Sequence, residues 1–445
     1  MIQVELKETP VNRHQFSLQK ALLLLLLFPL QLFSQESPEA KASRMQWFSD
    51  AKLGIFVHYG IYAVNGIDES WSFHNGKISH EDYMKQLNGF TAKNYDPAAW
   101  ADLFSESGAK YAVMTSMHHD GVALWDSKVN ELNVLKKTPA KRDLLAPYCK
   151  AMRDKGLKVG LYYSLLDWSH PDYPEFLRDQ KRYEKDSLRW NKFLGFLNAQ
   201  LDDLGTHYKP DLWWFDGDWE QSAEKWKAKE IREKLFVQNP KTIINSRLQG
   251  YGDYDTPEQG IPIGKQKTPY WELCMTINDS WGYQPTDIEF KSPNEIIRIF
   301  ADCISLGGNM LLDVGPKEDG TIPAEEVAVL KELGRWTKKH APAIYGTKAG
   351  IPRDWFSGPS TLSADSTKLY LFVEHKPNGP LFVKGLKNNV RTAWVVGKGN
   401  SLNFKIQMKA WWSQSPGLLL VDVPDDCLDP QITVICVSLE GKLKP

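Results

Sequence analysis

The segment TSMHHDGVALWDS, residues 115–127, sets His118, His119 and Asp120 directly after an apolar run. The preceding YAVMTS has the β-prone texture of an interior strand, and Gly121 frees the backbone to turn. A polar cluster at the tip of a buried strand suits a metal, a catalytic dyad or a polar ligand. A catalytic metal needs a third ligand and an open position, and no HxH or HExxH supplies one, so no metal site is expected. The second chemical segment is DLWWFDGDWE, residues 211–220. Trp213, Trp214 and Phe215 give Asp216 an apolar wall, and a carboxylate fixed at a strand end beside aromatic rings is suited to attack an anomeric carbon. The competing reading of Asp216 is a helix-capping side chain, although Asp218 is better placed for that.

These residues need elements that bring them together. From about residue 50 to 342, apolar β-type runs alternate with helical patterns. The runs are LGIFVHYG, YAVMTS, KVGLYYS, DLWWFDG, TIINSR, YWELCMT and NMLLDVG. Between them lie AAWADLFSESG, DLLAPYCKAMRDKG, the stretch from Phe176 to Asp203, and SPNEIIRIFADCISLGG, read as helices. Such alternation predicts an α/β fold, a (β/α)8-type, TIM-like barrel with room for one irregular repeat. After Tyr345, short strands separated by Gly, Pro and Asn turns predict a C-terminal antiparallel β-sandwich. The expected organisation is a catalytic barrel over 45–345 and a sandwich over 346–445. Trp411 and Trp412, adjacent in a strand-like stretch of the sandwich, cannot both enter its core.

In such a barrel the active site lies at the C-terminal strand ends. Those ends carry His58; His118 and His119; Tyr162 and Tyr163; Trp214 and Asp216; and Arg247. Trp271 and Glu272 lie near the sixth strand, after a loop holding Glu258. Histidines, aromatics and carboxylates in one place are the chemistry of a sugar pocket, because an indole face packs on the C–H face of a pyranose. The chain carries 17 tryptophans, any one of which could equally be core packing.

LGIFVHYGIYAV, HHDG-x-ALW-x-S, GLYYS, WWFDG, a downstream Asn-x-Arg and NMLLDVGP, taken in this order, resemble glycoside hydrolase family 29, the α-L-fucosidases. The resemblance runs from about Trp47 to Gly346. It implies a retaining mechanism with Asp216 as nucleophile and a second carboxyl group as acid/base. Glu258 is the first choice for that group and Glu272 the alternative. His58, His118, His119, Tyr163, Trp214 and Arg247 fall on positions that the resemblance assigns to fucose binding. Trp71, Glu69 beside it, and Trp271 are further candidates.

The resemblance implies an exo-acting fucosidase that needs no cofactor and takes fucosylated oligosaccharides or glycoconjugates. Two alternatives stand: a relaxed glycosidase that also cleaves β-D-galactosides, and a non-catalytic fucose-binding relative. With 54 basic and 55 acidic residues among 445, the chain has no excess charge to bind a polyanion, so nucleic acid is not an expected partner. ALLLLLLFPLQLF, residues 21–33, follows Arg13 and Lys20 and has the length of a signal-peptide core. A signal peptide over 1–34, no membrane span after its removal, and export to a bacterial periplasm or beyond are therefore expected. The 5 cysteines are scattered without a CxxC, which predicts buried thiols rather than a disulfide framework.

Overall fold

The computed structural model describes Met1 and residues 36–444, apart from 261, 262, 265, 267, 410 and 413–415. The expected signal peptide lies outside the described residues, save Met1. Met1–Ser43 separates as one compact unit and Arg44–Pro445 as another. Among the described residues no helix is long and apolar enough to cross a membrane.

All seven apolar runs form strands of one parallel sheet. In chain order they are β1 Leu53–Val57, β2 Tyr111–Met117, β3 Lys158–Ser164, β4 Leu212–Asp216, β5 Ile243–Ile244, β6 Glu272–Thr276 and β7 Asn309–Val314. Their spatial order is β5-β4-β3-β2-β1-β7-β6. Every residue of β1, β2, β4, β6 and β7 is buried, as expected of strands covered on both faces. The irregular repeat sits between the edges β5 and β6. There, single parallel bridges join Asn245 to Tyr254, Asp255 to Trp271 and Glu258 to Cys274. The segment 254–258 thus lies as an eighth, loosely paired run between the two edge strands. It carries Glu258.

Alternate residues turn inward and fill the barrel: Phe56, Tyr111, Val113, Tyr162, Leu212, Trp214, Ile243, Cys274 and Leu311 form one cluster. The others face outward, against helices α1 Pro97–Ser107, α2 Leu145–Asp154, α3 Ser187–His207, α4 Ala228–Gln238, α5 Pro293–Ser305 and α6 Ala324–His340. Local signals set the helix ends. In α1 the Asp96 side chain accepts from the backbone N–H groups of Ala98 and Ala99, and Gly108 closes the helix at φ 96°. The helix expected from Phe176 instead begins at Ser187, where the Asp186 carboxylate caps it. Before it, Glu175–Leu177 pairs antiparallel with Gln180–Lys181, and Arg182 donates to the carbonyls of Glu175 at 2.8 Å and Trp168 at 2.7 Å. Arginine bonds to carbonyls hold a hairpin that period-counting reads as helix.

Beyond residue 347 the sheets are antiparallel. One holds five strands, with Lys368–Val373 and Thr433–Leu439 at its centre; the other holds three, with Leu418–Val421 in the middle. Leu369, Leu371, Ile435 and Val437 of the first pack with Val383, Leu419 and Val421 of the second. The other face of the five-stranded sheet joins the barrel's outer core. Trp336 on α6 donates to the Ile432 carbonyl at 2.9 Å, and its ring lies 6.2 Å from that of Phe372. Trp411 and Trp412 sit in a turn, both strongly exposed, so neither enters the sandwich core. All five cysteines are free and buried.

Candidate active site

A cavity of about 160 Å3 opens at the C-terminal ends of the barrel strands. Strand alternation decides what lines it. Asp216 and Trp214 point inward from β4, and the register pairs Trp214 with Tyr162, so Tyr162 points inward from β3. Tyr162 donates to Oδ2 of Asp216 at 3.0 Å. Arg247, just past β5, donates through Nη1 to Oδ1 of Asp216 at 2.8 Å and through Nη2 to Oε2 of Glu258 at 2.7 Å. Its Nε donates to Thr256 Oγ1 at 3.1 Å, and its guanidinium lies 4.5 Å from the Trp214 ring centre. One planar cation therefore spans two carboxylates, a geometry that lysine could not reproduce. Asp216 is 9% exposed, whereas the Glu258 side chain, at 41%, stands at the mouth.

Three histidines face Asp216, and burial holds each of them neutral. Nδ1 of His58 lies 2.7 Å from Oδ1 of Asp313, and Nδ1 of His118 lies 2.5 Å from Ser70 Oγ. Burial, reinforced by the neighbouring His118, keeps His58 well below the usual imidazole range; burial, with Glu326 and Glu69 nearby, pushes its partner Asp313 up. His118 is lowered by burial and by His119. His119 is the most telling. The Ser164 hydroxyl donates to the Leu166 carbonyl at 2.6 Å, so it must accept from Nδ1 of His119, 2.6 Å away. That leaves Nε2 as a bare lone pair, buried, without a hydrogen-bond partner and 3.7 Å from Oδ2 of Asp216. Burial pushes this imidazole down to about 3, so the lone pair stays available to a hydroxyl donor.

Aromatic rings and one carboxyl complete the wall. Trp71, Trp219, Trp281 and Phe56 line the cavity with Glu69. Glu69 accepts from the Gly282 backbone N–H at 2.6 Å, and burial pushes its carboxyl up to about 7. Among the described residues no group of three or more His, Cys, Asp or Glu could hold a metal ion.

A family model described as alpha-L-fucosidase matches residues 32–342. The chain belongs to the alpha-L-fucosidase family. The alpha-L-fucosidase of Branchiostoma floridae is 30% identical over 408 residues, covering 85% of this chain and 88% of that one. Among solved structures, alpha-L-fucosidase isoenzyme 1 from Paenibacillus thiaminolyticus superposes with a TM-score of 0.82 at 36% identity, over 90% of this chain and all of that one. A GH29 alpha-L-fucosidase from Bacteroides thetaiotaomicron, solved as a trapped covalent intermediate with 2-fluoro-fucosyl fluoride, superposes at 0.79 and 29% identity, over 90% and 96%. This chain is accordingly a glycoside hydrolase of the α-L-fucosidase type.

Within this α-L-fucosidase fold, Asp216, Glu258, His58, Glu69, Trp71, His118, Trp214 and Arg247 share one cavity, and His119 abuts it. Three sequence assignments are corrected. Tyr163 turns outward and accepts from Gln200 Nε2 at 3.0 Å; Tyr162 takes its place. Trp271 also turns outward, packing where a Cβ on Gly308 would meet its indole. Glu272 lies inside the barrel, fully buried below the cavity, accepting from the Tyr111 hydroxyl and from Trp214 Nε1 at 3.1 Å. Burial pushes Glu272 up to about 7, but it supports Trp214 and does not reach the pocket. Asp218 does not cap a helix as expected, and Asp120 is taken up by local bonds. Asp120 accepts from the Tyr83 hydroxyl and the Val122 N–H, and Asp218 accepts from the Gln249 N–H. Sequence reasoning missed Phe56, Trp219, Trp281 and Asp313; parity with Asp216 and Trp214 would have found Tyr162.

Proposed function

We propose that the chain is a retaining, exo-acting α-L-fucosidase that removes terminal α-L-fucose from oligosaccharides or glycoconjugates by double displacement. The observation that carries this reading is the single guanidinium of Arg247, which holds Asp216 and Glu258 side by side at a small, aromatic-walled pocket. Asp216 attacks the anomeric carbon and forms a glycosyl-enzyme while Glu258 protonates the departing oxygen. Glu258 then takes a proton from the water that releases fucose. Retention requires two carboxyl groups about 5–5.5 Å apart, and the shared guanidinium keeps Asp216 and Glu258 at one pocket. His119 Nε2 accepts a sugar hydroxyl, relieving its unpartnered lone pair, and the tryptophans cover the sugar's apolar edge.

A cavity of about 160 Å3 suits one sugar ring and supports release from chain ends. Export rests on the apolar run at 21–33 alone. The test is Asp216→Ala, which abolishes turnover of an aryl α-L-fucoside while the protein stays folded. Asp216→Gly with azide yields a fucosyl azide of inverted configuration. Retained activity in Asp216→Ala refutes the assignment. Parallel assay of an aryl β-D-galactoside measures how strictly the pocket selects fucose.

A further inference from the structure

A pocket that closes on one sugar leaves open where the rest of the substrate lies. The cavity's most exposed aromatic is Trp219, half exposed and nearly parallel to Trp71 at a ring separation of 6.3 Å. The next two residues, Glu220 and Gln221, already line a second, larger groove of about 700 Å3. Consecutive Cα atoms lie about 3.8 Å apart, so the chain passes from the lining of the pocket to that of the groove within one residue, at Trp219–Glu220.

The groove is built. Glu175 and Lys181 of the hairpin that replaced the expected helix line it, with Tyr183 and Lys185, and with Ser187 and Trp190 at the start of α3. Glu220 fixes it to the fucose pocket. Oε1 accepts from Trp168 Nε1 at 3.1 Å and Oε2 from the Tyr173 hydroxyl at 2.5 Å, while the Trp168 ring lies 5.0 Å from Trp71 and 4.9 Å from His119. Its volume falls within the roughly 300–1,000 Å3 of small-molecule sites. Four carboxylates, three lysines and the Gln221 amide line it together with Tyr183 and Trp190, hydrogen-bonding groups of balanced charge beside flat rings that suit a neutral saccharide chain.

We propose that this groove is the leaving-group site, holding the neutral oligosaccharide from which fucose is cut, with Trp219 as the step between the two. The assignment rests on the fucosidase reading above. It makes the hairpin 175–181 a determinant of which glycan is accepted rather than a structural insert.

The test compares α-L-fucosyl fluoride, whose leaving group fills no groove, with a neutral fucosylated tetrasaccharide. Ser187→Trp plugs the groove from an exposed helix start, and Gln221→Ala removes a polar contact without adding bulk. In Ser187→Trp, kcat/KM for the tetrasaccharide falls about tenfold or more, and in Gln221→Ala about threefold, while the fluoride changes less than about twofold. Equal changes for both substrates, or no change for either, overturn the groove assignment. An unmodified protein that fails to turn over even the fluoride overturns the fucosidase reading, and the groove assignment with it.

Discussion

Two glutamates stand near Asp216 in the sequence reading, and substitution separates them by mechanism. Glu258→Ala removes the proton donor at the mouth. Positioned general acids contribute about 10²–10⁴-fold, so turnover of a natural fucoside, whose sugar leaves poorly, falls by that factor. Fucosyl fluoride, which needs no protonation to depart, loses far less in its first step. Azide then rescues Glu258→Ala by taking the place of water and gives a fucosyl azide of retained configuration, opposite to the product from Asp216→Gly.

Glu272→Gln behaves differently because the residue lies beneath the pocket. The amide offers one accepting oxygen and one donor end, as the protonated carboxyl does, so the variant stays within about 1 kcal/mol of the parent wherever Glu272 carries its proton. Catalysis persists within about tenfold, because Trp214 keeps its contacts with Phe56 and Arg247. The stability difference also has a pH signature. The folded Glu272 carboxyl is pushed by burial from 4.5 to about 7, so its stabilising contribution is complete below 4.5 and is lost as pH rises through 7. The loss is about 3 kcal/mol across that window. Glutamine has no such loss, so Glu272→Gln matches the parent near pH 4.5 and is the more stable form toward pH 8. Denaturant titrations at both pH values and kcat/KM for the two substrates check this. If Glu272→Gln abolishes turnover with azide rescue while Glu258→Ala keeps it, the acid/base assignment is refuted.

Three further outcomes follow from named contacts. Arg247→Lys keeps the charge but cannot reach both carboxylates, so kcat/KM for an aryl fucoside falls about 100-fold, read by steady-state kinetics. Tyr162→Phe deprives Asp216 of a donor and lowers kcat/KM about tenfold, whereas Tyr163→Phe, outside the barrel, leaves KM in place; equal effects would reverse the assignment of the two tyrosines. The His119 imidazole, held near 3 when folded and titrating at 6.5 when unfolded, takes its proton only in the unfolded chain between those values. Stability is therefore lost at about 1.4 kcal/mol per pH unit as pH falls from 6.5 toward 3, and His119→Gln removes that part of the slope in urea titrations.

The legible parts were those that local chemistry encodes. The seven strands showed as apolar runs because both faces of a parallel sheet are covered, and α1 showed its Asp cap and Gly stop. The same double burial hid side-chain direction. In LYYS both tyrosines are apolar enough for either face, and Tyr163 drew the assignment that belongs to Tyr162. The run at 254–258 escaped because it pairs through isolated bridges and has no apolar texture of its own.

By itself the sequence determined the alternating architecture, the strand ends that carry His58, His118, His119, Asp216 and Arg247, and an aromatic-rich polar site. Only the tertiary structure decided that Arg247 joins Asp216 to Glu258, that Glu272 lies beneath the pocket, and that Asp313 fixes His58 from 255 residues away. Periodicity and capping act over a few residues and leave a local trace. Which side chain meets which across the barrel depends on register and strand parity, set by closure of the whole sheet.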